Sequence, residues 1–209
     1  MDPHEDGLPA IVTLAAVGRS ELKVQRSRFL AEAHPLGERD EVRVILGDMC
    51  RRYHDCRHVC HGWRAGHGDD LVEGRSDAGE PAGTAGEPIL SALRGADVTD
   101  ALVVVARYFG GVKLGTGGLG RAYREAAAAA LDDAPRRRVP LGREHAFDSG
   151  YELIGPLEHL LDTFAGRIVD RTFAAEVAWT VWLPADRWRT FERELAALSE
   201  GRIKLRAPE

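Results

Sequence analysis

In the first two thirds of the chain, the spacing of hydrophobic residues changes several times between the pattern typical of strands and that typical of helices. Residues 11–17 and 22–33 have the pattern of strands, separated by a turn at residues 18–20. Apolar residues then recur every three or four positions, which predicts a helix whose buried face carries Val42, Ile45, Leu46, Met49, Cys50 and Tyr53. Further along, the pattern predicts a strand at 56–65, a long loop at 66–88, a short helix at 89–93, a buried strand at 101–106 and a helix at 119–131.

A change of composition separates this part from the rest of the chain. Prolines at positions 135 and 140 enclose three consecutive arginines, directly after an alanine-rich run. Because proline restricts its own backbone and that of the preceding residue, we expect the helix to stop here and a linker to follow. The sequence therefore predicts two domains, residues 10–134 and 141–206.

The second part alternates strand and helix patterns in a recognisable order. A strand is predicted at 144–153, a helix opened by Gly155-Pro156, a hairpin of 167–173 with 176–183, a helix after Pro184 and a last strand at 203–205. This βαββαβ order is typical of the ferredoxin-like fold, with two helices on one face of an antiparallel sheet. The predicted fold class of the whole chain is α+β.

Composition excludes several classes of protein. The 209 residues carry a net charge of −5, with 44% hydrophobic and 29% charged residues, which is ordinary for a globular protein. No apolar run approaches the ~18 residues of a membrane span, and the acidic N-terminus lacks the pattern of a signal peptide. Three clustered cysteines, Cys50, Cys56 and Cys60, do not form a disulfide framework. We therefore expect a cytoplasmic protein without a membrane partner.

A basic, glycine-rich segment is the clearest candidate for a binding site. Residues 101–124 contain no Asp or Glu, and a predicted strand enters the segment while a helix leaves it. Backbone N–H groups at glycines and at a helix N-terminus can approach an anion closely. We expect the following residues to bind phosphate or nucleic acid: Arg107, Lys113, Gly115, Gly117, Gly118, Arg121 and Arg124. The alternative is a glycine-rich turn on a solvated surface.

Two common phosphate-binding motifs do not fit this segment. The run from Gly115 to Gly120 matches G-x-G-x-x-G by letter, but about eight residues separate it from the preceding strand and no second strand with a terminal acid follows. Lys113 precedes the glycines, whereas the lysine of a Walker sequence follows them. Neither a dinucleotide cofactor nor any other cofactor is therefore expected.

Histidines and cysteines alternate just before and within the predicted strand at 56–65. His54, Cys56, His58 and Cys60 are two residues apart and share one face, with neighbours ~6.6 Å apart, which is too far for all four to bind one zinc ion. We expect packed thiols and imidazoles and no metal site. A nucleophile–base pair of Cys60 with His58 would lack a third, orienting group, so no catalytic residue is predicted.

The loop at residues 76–86 mixes acids, hydroxyl groups and glycines. Asp77, Glu80 and Thr84 are its polar candidates, and the two acids would either bind a cation or cap the following helix. A structured surface loop without a ligand remains the alternative. In the second domain, Trp179 and Trp182 fall on opposite faces of their strand. An exposed tryptophan there would stack on a base or contact a protein partner, and the net acidic charge of the domain favours the protein.

Several of these stretches together resemble the YigZ/IMPACT family over about residues 20–131. The residues that carry the resemblance are Gly79-Glu80-Pro81, Arg107-Tyr108-Phe109-Gly110-Gly111, Lys113-Leu114-Gly115, Gly117-Gly118-Leu119 and Arg121-Ala122-Tyr123. The resemblance implies a ribosomal protein S5 domain 2-like N-terminal domain followed by a ferredoxin-like domain. Both folds are similar to adjacent domains of the translocating elongation factor, which implies contact with RNA or ribosomes.

The sequence also departs from the family pattern. The family's Asp-Asp-Gly-Glu-Pro-Ser is Asp77-Ala78-Gly79-Glu80-Pro81-Ala82 here, so an acid and a hydroxyl are missing from the loop. The eukaryotic relative regulates translation by competing for the activator of a starvation-responsive kinase, but it carries an additional N-terminal domain. About ten residues precede the first predicted strand here, so we expect that kinase role not to transfer.

The prediction for function is a translation regulator that binds RNA or ribosomal surfaces, with no catalytic activity assigned. One alternative is a hydrolase or another enzyme acting on a phosphorylated small molecule at the same glycine-rich segment. The other is a protein-binding adaptor. Salt-dependent affinity for RNA distinguishes the first class from the adaptor.

Overall fold

The structure, a computed structural model, describes residues 8–203 and 205–206, and the chain divides into two units. The N-terminal unit is Ile11–Val139, and the described part of the C-terminal unit is residues 140–203 and 205–206 together with residues 8–10. Each unit has its own hydrophobic core, as expected for separate domains.

The N-terminal unit is built around an antiparallel sheet of five strands. Its elements are β1 Ala10–Leu14, β2 Gly18–Val24, β3 Ser27–Pro35, α1 Glu41–Arg52, β4 His58–Ala65, β5 Val72–Ser76, α2 Gly86–Gly95, β6 Ala101–Tyr108, α3 Gly115–Asp133 and β7 Arg136–Pro140. The strand order in the sheet is β2-β3-β6-β4-β5, and a separate pair joins β1 to β7.

The central strand β6 shows why this part of the chain folds as a three-layer structure. Val103 and Val105 point to the side covered by α2 and α3, while Leu102 and Val104 point to the side covered by α1. Because both faces are covered, the strand is apolar at every position from 101 to 106 rather than at alternate ones. The strand ends with Arg107, which is still buried, and Tyr108, which is half-buried.

The structure corrects four sequence predictions in this unit. Residues 18–20 belong to β2, and the predicted strand 22–33 is interrupted by a two-residue turn at Gln25 and Arg26, both with positive φ. The predicted loop at 66–88 contains β5. The predicted linker is strand β7, although α3 does end before Pro135 as expected.

A further correction in this unit concerns the start of α3. The helix begins at Gly115 rather than at Leu119, so Gly117 and Gly118 lie in its first turn and not in a loop. Glycine is a poor helix former, and the sequence pattern therefore placed the start too late. The packed part of the helix, which includes Leu119, Tyr123 and the alanines, fixes the direction of this first turn.

The C-terminal unit has the predicted βαββαβ order. Its elements are β8 Gly142–Ser149, α4 Ile154–Thr163, β9 Arg167–Phe173, β10 Val177–Pro184, α5 Trp188–Leu198 and β11 Leu205–Arg206. The strands form an antiparallel sheet in the order β11-β8-β10-β9, the ferredoxin-like arrangement. The α+β fold class is confirmed.

One side of this second sheet packs on its two helices. Trp179 is buried there and donates a hydrogen bond from Nε1 to Ser149 Oγ at 2.9 Å, while Trp182 on the other side is half-buried beneath Arg167.

The first strand of this unit, β8, ends earlier than predicted, because Tyr151–Leu153 forms a 3₁₀ turn before α4. Pro184 ends β10 rather than opening α5. Among the described residues, no helix combines the length and hydrophobicity that a bilayer span requires.

Candidate functional site

A cavity of about 430 Å³ opens in the N-terminal unit where β6 leaves the sheet and α3 begins. We call it the basic cavity. Its walls come from the residue before β4, the first residue of β4, the loop between β5 and α2, the end of β6, the loop after it and the first turns of α3. The lining residues are Arg57, His58, Glu80, Pro81, Arg107, Phe109, Lys113, Leu114, Gly115, Thr116 and Leu119.

A buried polar network forms the base of this cavity. Arg107 Nη1 donates a hydrogen bond to Glu80 Oε1 at 2.7 Å, and the Tyr123 hydroxyl donates to the same oxygen at 2.8 Å. Both charged side chains are almost fully buried, with 7% of Arg107 and 4% of Glu80 exposed. Each buried charge is therefore compensated by a hydrogen-bonded partner of opposite sign, and Glu80 holds Arg107 in place.

The Arg107 guanidinium is also fixed by aromatic rings on two sides. Its Cζ lies 5.5 Å from the ring centroid of Phe29 and 5.4 Å from that of Phe109. Cation–π contacts of this kind orient the planar group. Its Nε is buried and has no hydrogen-bond partner in the described part of the chain. One donor of this arginine is therefore left unsatisfied beside the cavity.

The cysteines and histidine of this region are structural neighbours of the network. Burial raises the pKa of the Cys60 thiol to about 12, although a contact with the Tyr123 hydroxyl opposes this shift. Burial also raises the pKa of Tyr123. A thiol with so high a pKa is not a thiolate at neutral pH, which argues against Cys60 as a nucleophile. His58 Nδ1 lies 2.9 Å from the carbonyl oxygen of Ala78, so Nδ1 carries the proton that this contact needs.

Asp77 caps helix α2. Its carboxylate accepts hydrogen bonds from the backbone N–H groups of Gly83, Ala85 and Gly86 at 2.8–2.9 Å. Burial raises the pKa of Asp77, but these three hydrogen bonds outweigh burial and leave the pKa below its usual value. Of the two roles that the sequence left open for this acid, the structure shows the cap.

Thr84 completes the same loop, since its hydroxyl donates to the carbonyl of Pro81 at 2.7 Å. No group of three or more His, Cys, Asp or Glu side chains with metal-binding geometry occurs in residues 8–203 and 205–206. The polar residues of this loop therefore hold the loop and the start of α2 in place.

Helix α3, in contrast, begins without a side-chain cap and without an acid in its first turn. Gly115 has a φ of +68°, which explains a glycine at this position. Gly110 is required for space, because a Cβ there would lie 2.1 Å from the backbone carbon of Arg26. At Gly117 a Cβ would meet only the end of the Arg121 side chain, at 3.6 Å. The first turn of α3 thus exposes its backbone.

Three cations lie on the surface along this part of the chain: Lys113, Arg121 and Arg124. We call them the basic strip. None of them forms an ion pair in the part of the chain that the structure describes, and neither does Glu125 beside them. Several arginines elsewhere do pair with acids, such as Arg52 with Glu32 and Arg94 with Glu73.

The structure distributes the predicted site residues over two places. Arg107, Lys113 and Gly115 line the basic cavity together with Glu80, whereas Gly117, Gly118, Arg121 and Arg124 are not part of its lining. Sequence reasoning did not select Arg57, His58 or Phe109 as binding residues, although all three line the cavity. Phe109 is 54% exposed, and an aromatic residue directly before two glycines in an acid-free segment was the available signal.

Comparison with known proteins identifies the family. The Impact N-terminal domain matches residues 25–131, and a domain of unknown function (DUF1949) matches residues 149–202. The chain is 37% identical over 190 residues to IMPACT family member YigZ of Escherichia coli (strain K12), covering 90% of this chain and 92% of the relative. It is 31% identical over 184 residues to an IMPACT family member of Haemophilus influenzae, covering 88% and 89% of the two chains.

A solved structure agrees with this assignment. The crystal structure of a hypothetical protein superposes with a TM-score of 0.68 at 34% sequence identity, covering 96% of this chain and 98% of that one. The chain therefore belongs to the IMPACT family, and the resemblance noted in the sequence is confirmed. The names of these relatives state no activity.

Proposed function

We propose that this IMPACT family protein binds RNA, free or within the ribosome, through the basic strip, and that it acts in the cytoplasm as a regulator of translation. The observation that carries the proposal is a set of three surface cations on an acid-free segment, none of which has an ion-pair partner within residues 8–203 and 205–206: Lys113, Arg121 and Arg124. Cations without an intramolecular partner are free to replace counterions on a phosphate backbone. The chain's overall charge of −5 makes this local concentration stand out.

The geometry of α3 supports the proposal. Arg121 and Arg124 are three residues apart on a helix, so their side chains lie on neighbouring positions of one face. Arg121 also approaches the exposed backbone at Gly117. Between Gly115 and Arg124 the helix rises about 14 Å, which is long enough for contacts to more than one phosphate. The positive end of the helix adds to the same field.

The test is RNA binding measured over a range of salt concentrations. A fluorescently labelled single-stranded RNA is titrated with the intact protein, and the Arg121→Glu/Arg124→Glu variant is compared with wild type by fluorescence anisotropy. Since both side chains are exposed, we expect unchanged folding and a loss of affinity of at least about tenfold at low salt. The slope of log K against log salt should become shallower by about 1.4, the contribution of two phosphate contacts on a single strand.

A matched control comes from the C-terminal unit. Arg189 and Arg193 are exposed on α5, one helical turn apart, so Arg189→Glu/Arg193→Glu makes the same change of charge elsewhere. We expect it to change the affinity less than about threefold, through long-range repulsion alone. Equal losses in both double variants would show a non-specific charge effect. An unchanged affinity in the α3 variant at low salt would refute RNA binding by the basic strip.

The second candidate, a protein-binding adaptor, is favoured by strand β9. This strand lies at the edge of the C-terminal sheet and exposes Ile168, Val169 and Phe173 by 40%, 48% and 55%. An exposed apolar edge strand is a common place for a partner chain to bind. Loss of protein partners after Phe173→Ser, with RNA affinity absent in wild type, would favour this function over the first.

A further inference from the structure

We propose that the basic cavity binds a nucleotide, with its phosphomonoester group at the start of α3 and its base against Phe109. The proposal concerns the cavity and does not require the basic strip to bind RNA. It assigns a ligand class to residues that Proposed function leaves unused: Arg57, Arg107 and Phe109. Lys113 belongs to both places, since it lines the cavity and lies at the start of the strip.

The charges of the lining match a dianion. Arg107 is neutralised by Glu80, which lies against it in the same lining. Arg57 and Lys113 are exposed and have no ion-pair partner within the described residues, so about two positive charges remain uncompensated. A phosphomonoester carries a charge of about −1.5 to −2 at pH 7, whereas a phosphodiester carries about −1. The terminal phosphate is therefore the better match.

Two groups of hydrogen-bond donors border the cavity. The first is the N-terminus of α3, a helix of 19 residues with no side-chain cap and no acid in its first turn. The second is Arg107, a lining residue that is 6% exposed and whose buried Nε has no hydrogen-bond partner among the described residues. The corresponding end of α2 differs in that its amides are already occupied by Asp77. An oxyanion in the cavity would satisfy donors that the chain leaves open.

Apart from its charged residues, His58, Gly115 and Thr116, the lining is apolar and offers a surface for a flat group. Pro81, Phe109, Leu114 and Leu119 contribute this part of the surface. One side of the Phe109 ring faces Arg107, yet the residue remains 54% exposed, which leaves area for stacking. Stacking on an aromatic side chain is a common way to hold a base. The volume of about 430 Å³ also lies within the range of small-molecule sites and exceeds what a bare phosphate ion needs.

The experiment uses isothermal titration calorimetry of the full chain with adenosine 5′-monophosphate, adenosine and inorganic phosphate. We expect the nucleotide to bind at least about tenfold more tightly than either fragment, because only the nucleotide uses both the charged and the apolar parts of the cavity. Equal affinity for the nucleotide and adenosine would overturn the phosphate assignment. Equal affinity for the nucleotide and inorganic phosphate would overturn the base assignment, and absence of binding at millimolar concentration would overturn the whole proposal.

Variants of exposed residues locate the ligand without endangering the fold. We expect Lys113→Ala and Arg57→Ala each to weaken nucleotide binding by about tenfold, and Phe109→Ala by about fivefold. Arg124→Ala and Val112→Ala are the controls, since both residues are exposed and outside the lining, Val112 directly before Lys113 and Arg124 further along α3. We expect less than a twofold change in each control. Similar losses in variants and controls would contradict binding in this cavity.

A further comparison distinguishes a free nucleotide from an RNA end as the source of the phosphate. Two short RNAs of equal sequence, one with a 5′-phosphate and one with a 5′-hydroxyl, are titrated against wild type and Arg57→Ala. Preference for the 5′-phosphate that disappears in Arg57→Ala supports an RNA end in the cavity. Tight binding of the mononucleotide, with no such preference, supports a free nucleotide. The Arg121→Glu/Arg124→Glu variant should retain mononucleotide binding, so failure of this proposal and failure of RNA binding by the strip are distinguishable.

Discussion

Replacing Glu80 should destabilise the N-terminal unit strongly, because its carboxylate is the shared acceptor of two buried donors. In Glu80→Ala, Arg107 loses the 2.7 Å hydrogen bond from Nη1 and keeps its charge in a side chain that is 7% exposed. Tyr123 loses the acceptor of its 2.8 Å hydrogen bond in the same change. Removing one partner of a buried ion pair costs about 3–5 kcal/mol, and we expect a loss near the upper end of that range.

The same reasoning predicts the behaviour of related variants. Glu80→Gln keeps an oxygen acceptor but removes the compensating charge, so it should cost about 2–3 kcal/mol. The double variant Glu80→Leu/Arg107→Met removes both charges and should be more stable than Glu80→Ala. Glu87→Ala is the control, because Glu87 is 42% exposed and pairs with Arg75 and Arg94 at the surface. We expect it to cost less than about 1 kcal/mol.

The assay must report on the N-terminal unit separately, since three of the four tryptophans lie in the C-terminal unit. Hydrogen–deuterium exchange in increasing urea, followed by mass spectrometry of peptides from β6 and α3, gives the free energy of unfolding of this unit. Peptides from β10 and α5 report on the other unit in the same sample. A loss for Glu80→Ala no larger than that for Glu87→Ala would refute the buried network as a source of stability.

Two further predictions concern the same unit. Glu32 is almost fully buried, and its contacts with His34, Arg52 and Tyr53 lower its pKa from 4.5 to about 2 against the effect of burial. Its ionised form should therefore add about 3 kcal/mol to the free energy of unfolding above pH 4.5, and this contribution should be lost as the pH falls towards 2. In urea unfolding of Glu32→Gln, this dependence on pH should be largely absent. Gly110→Ala should cost about 1–3 kcal/mol because its Cβ would overlap the backbone of Arg26, whereas Gly117→Ala, which meets only a side chain, should be neutral or stabilising by up to ~1 kcal/mol in thermal unfolding.

The elements that the sequence predicts well are those whose pattern reflects their burial. Strand β6 is apolar at every position because helices cover both faces of the sheet, and the βαββαβ order of the C-terminal unit follows from alternation that matches its one-sided packing. The missed elements depend on distant partners. Strand β7 contains three arginines and one proline, and a second proline directly precedes it, so its composition does not predict a strand. It forms a strand because it pairs with β1, more than a hundred residues earlier in the chain.

Glycines explain why the sequence did not predict strand β5 and the first turn of α3, since both depend on packing with distant residues. Gly74 is unfavourable in a strand, yet a Cβ there would lie 2.4 Å from the ring of Trp63, so β5 requires a residue without a side chain. Gly115, Gly117 and Gly118 lower the helix propensity of the first turn of α3, which packing of the later turns overrides. The sequence predicts the candidate site in part, because a segment with several cations and no acids can be recognised in it. The sequence does not show that Arg57 and Phe109 line one cavity, because these residues are far apart in the chain.

The motif residues in and around the basic cavity fall into two groups that require different explanations. Glu80, Arg107 and Gly110 are accounted for within the chain, by a buried ion pair and by a close backbone contact. Phe109 is accounted for only in part, because one side of its ring contacts Arg107 while 54% of the residue is exposed. Lys113 has no ion-pair partner in the part of the chain that the structure describes. The buried residues fix the backbone that carries Phe109 and Lys113. The fold therefore presents an aromatic ring and a cation beside the N-terminus of α3, which has no side-chain cap. A ligand with a base and a phosphate uses all three features at once, which neither a purely apolar nor a purely anionic ligand does.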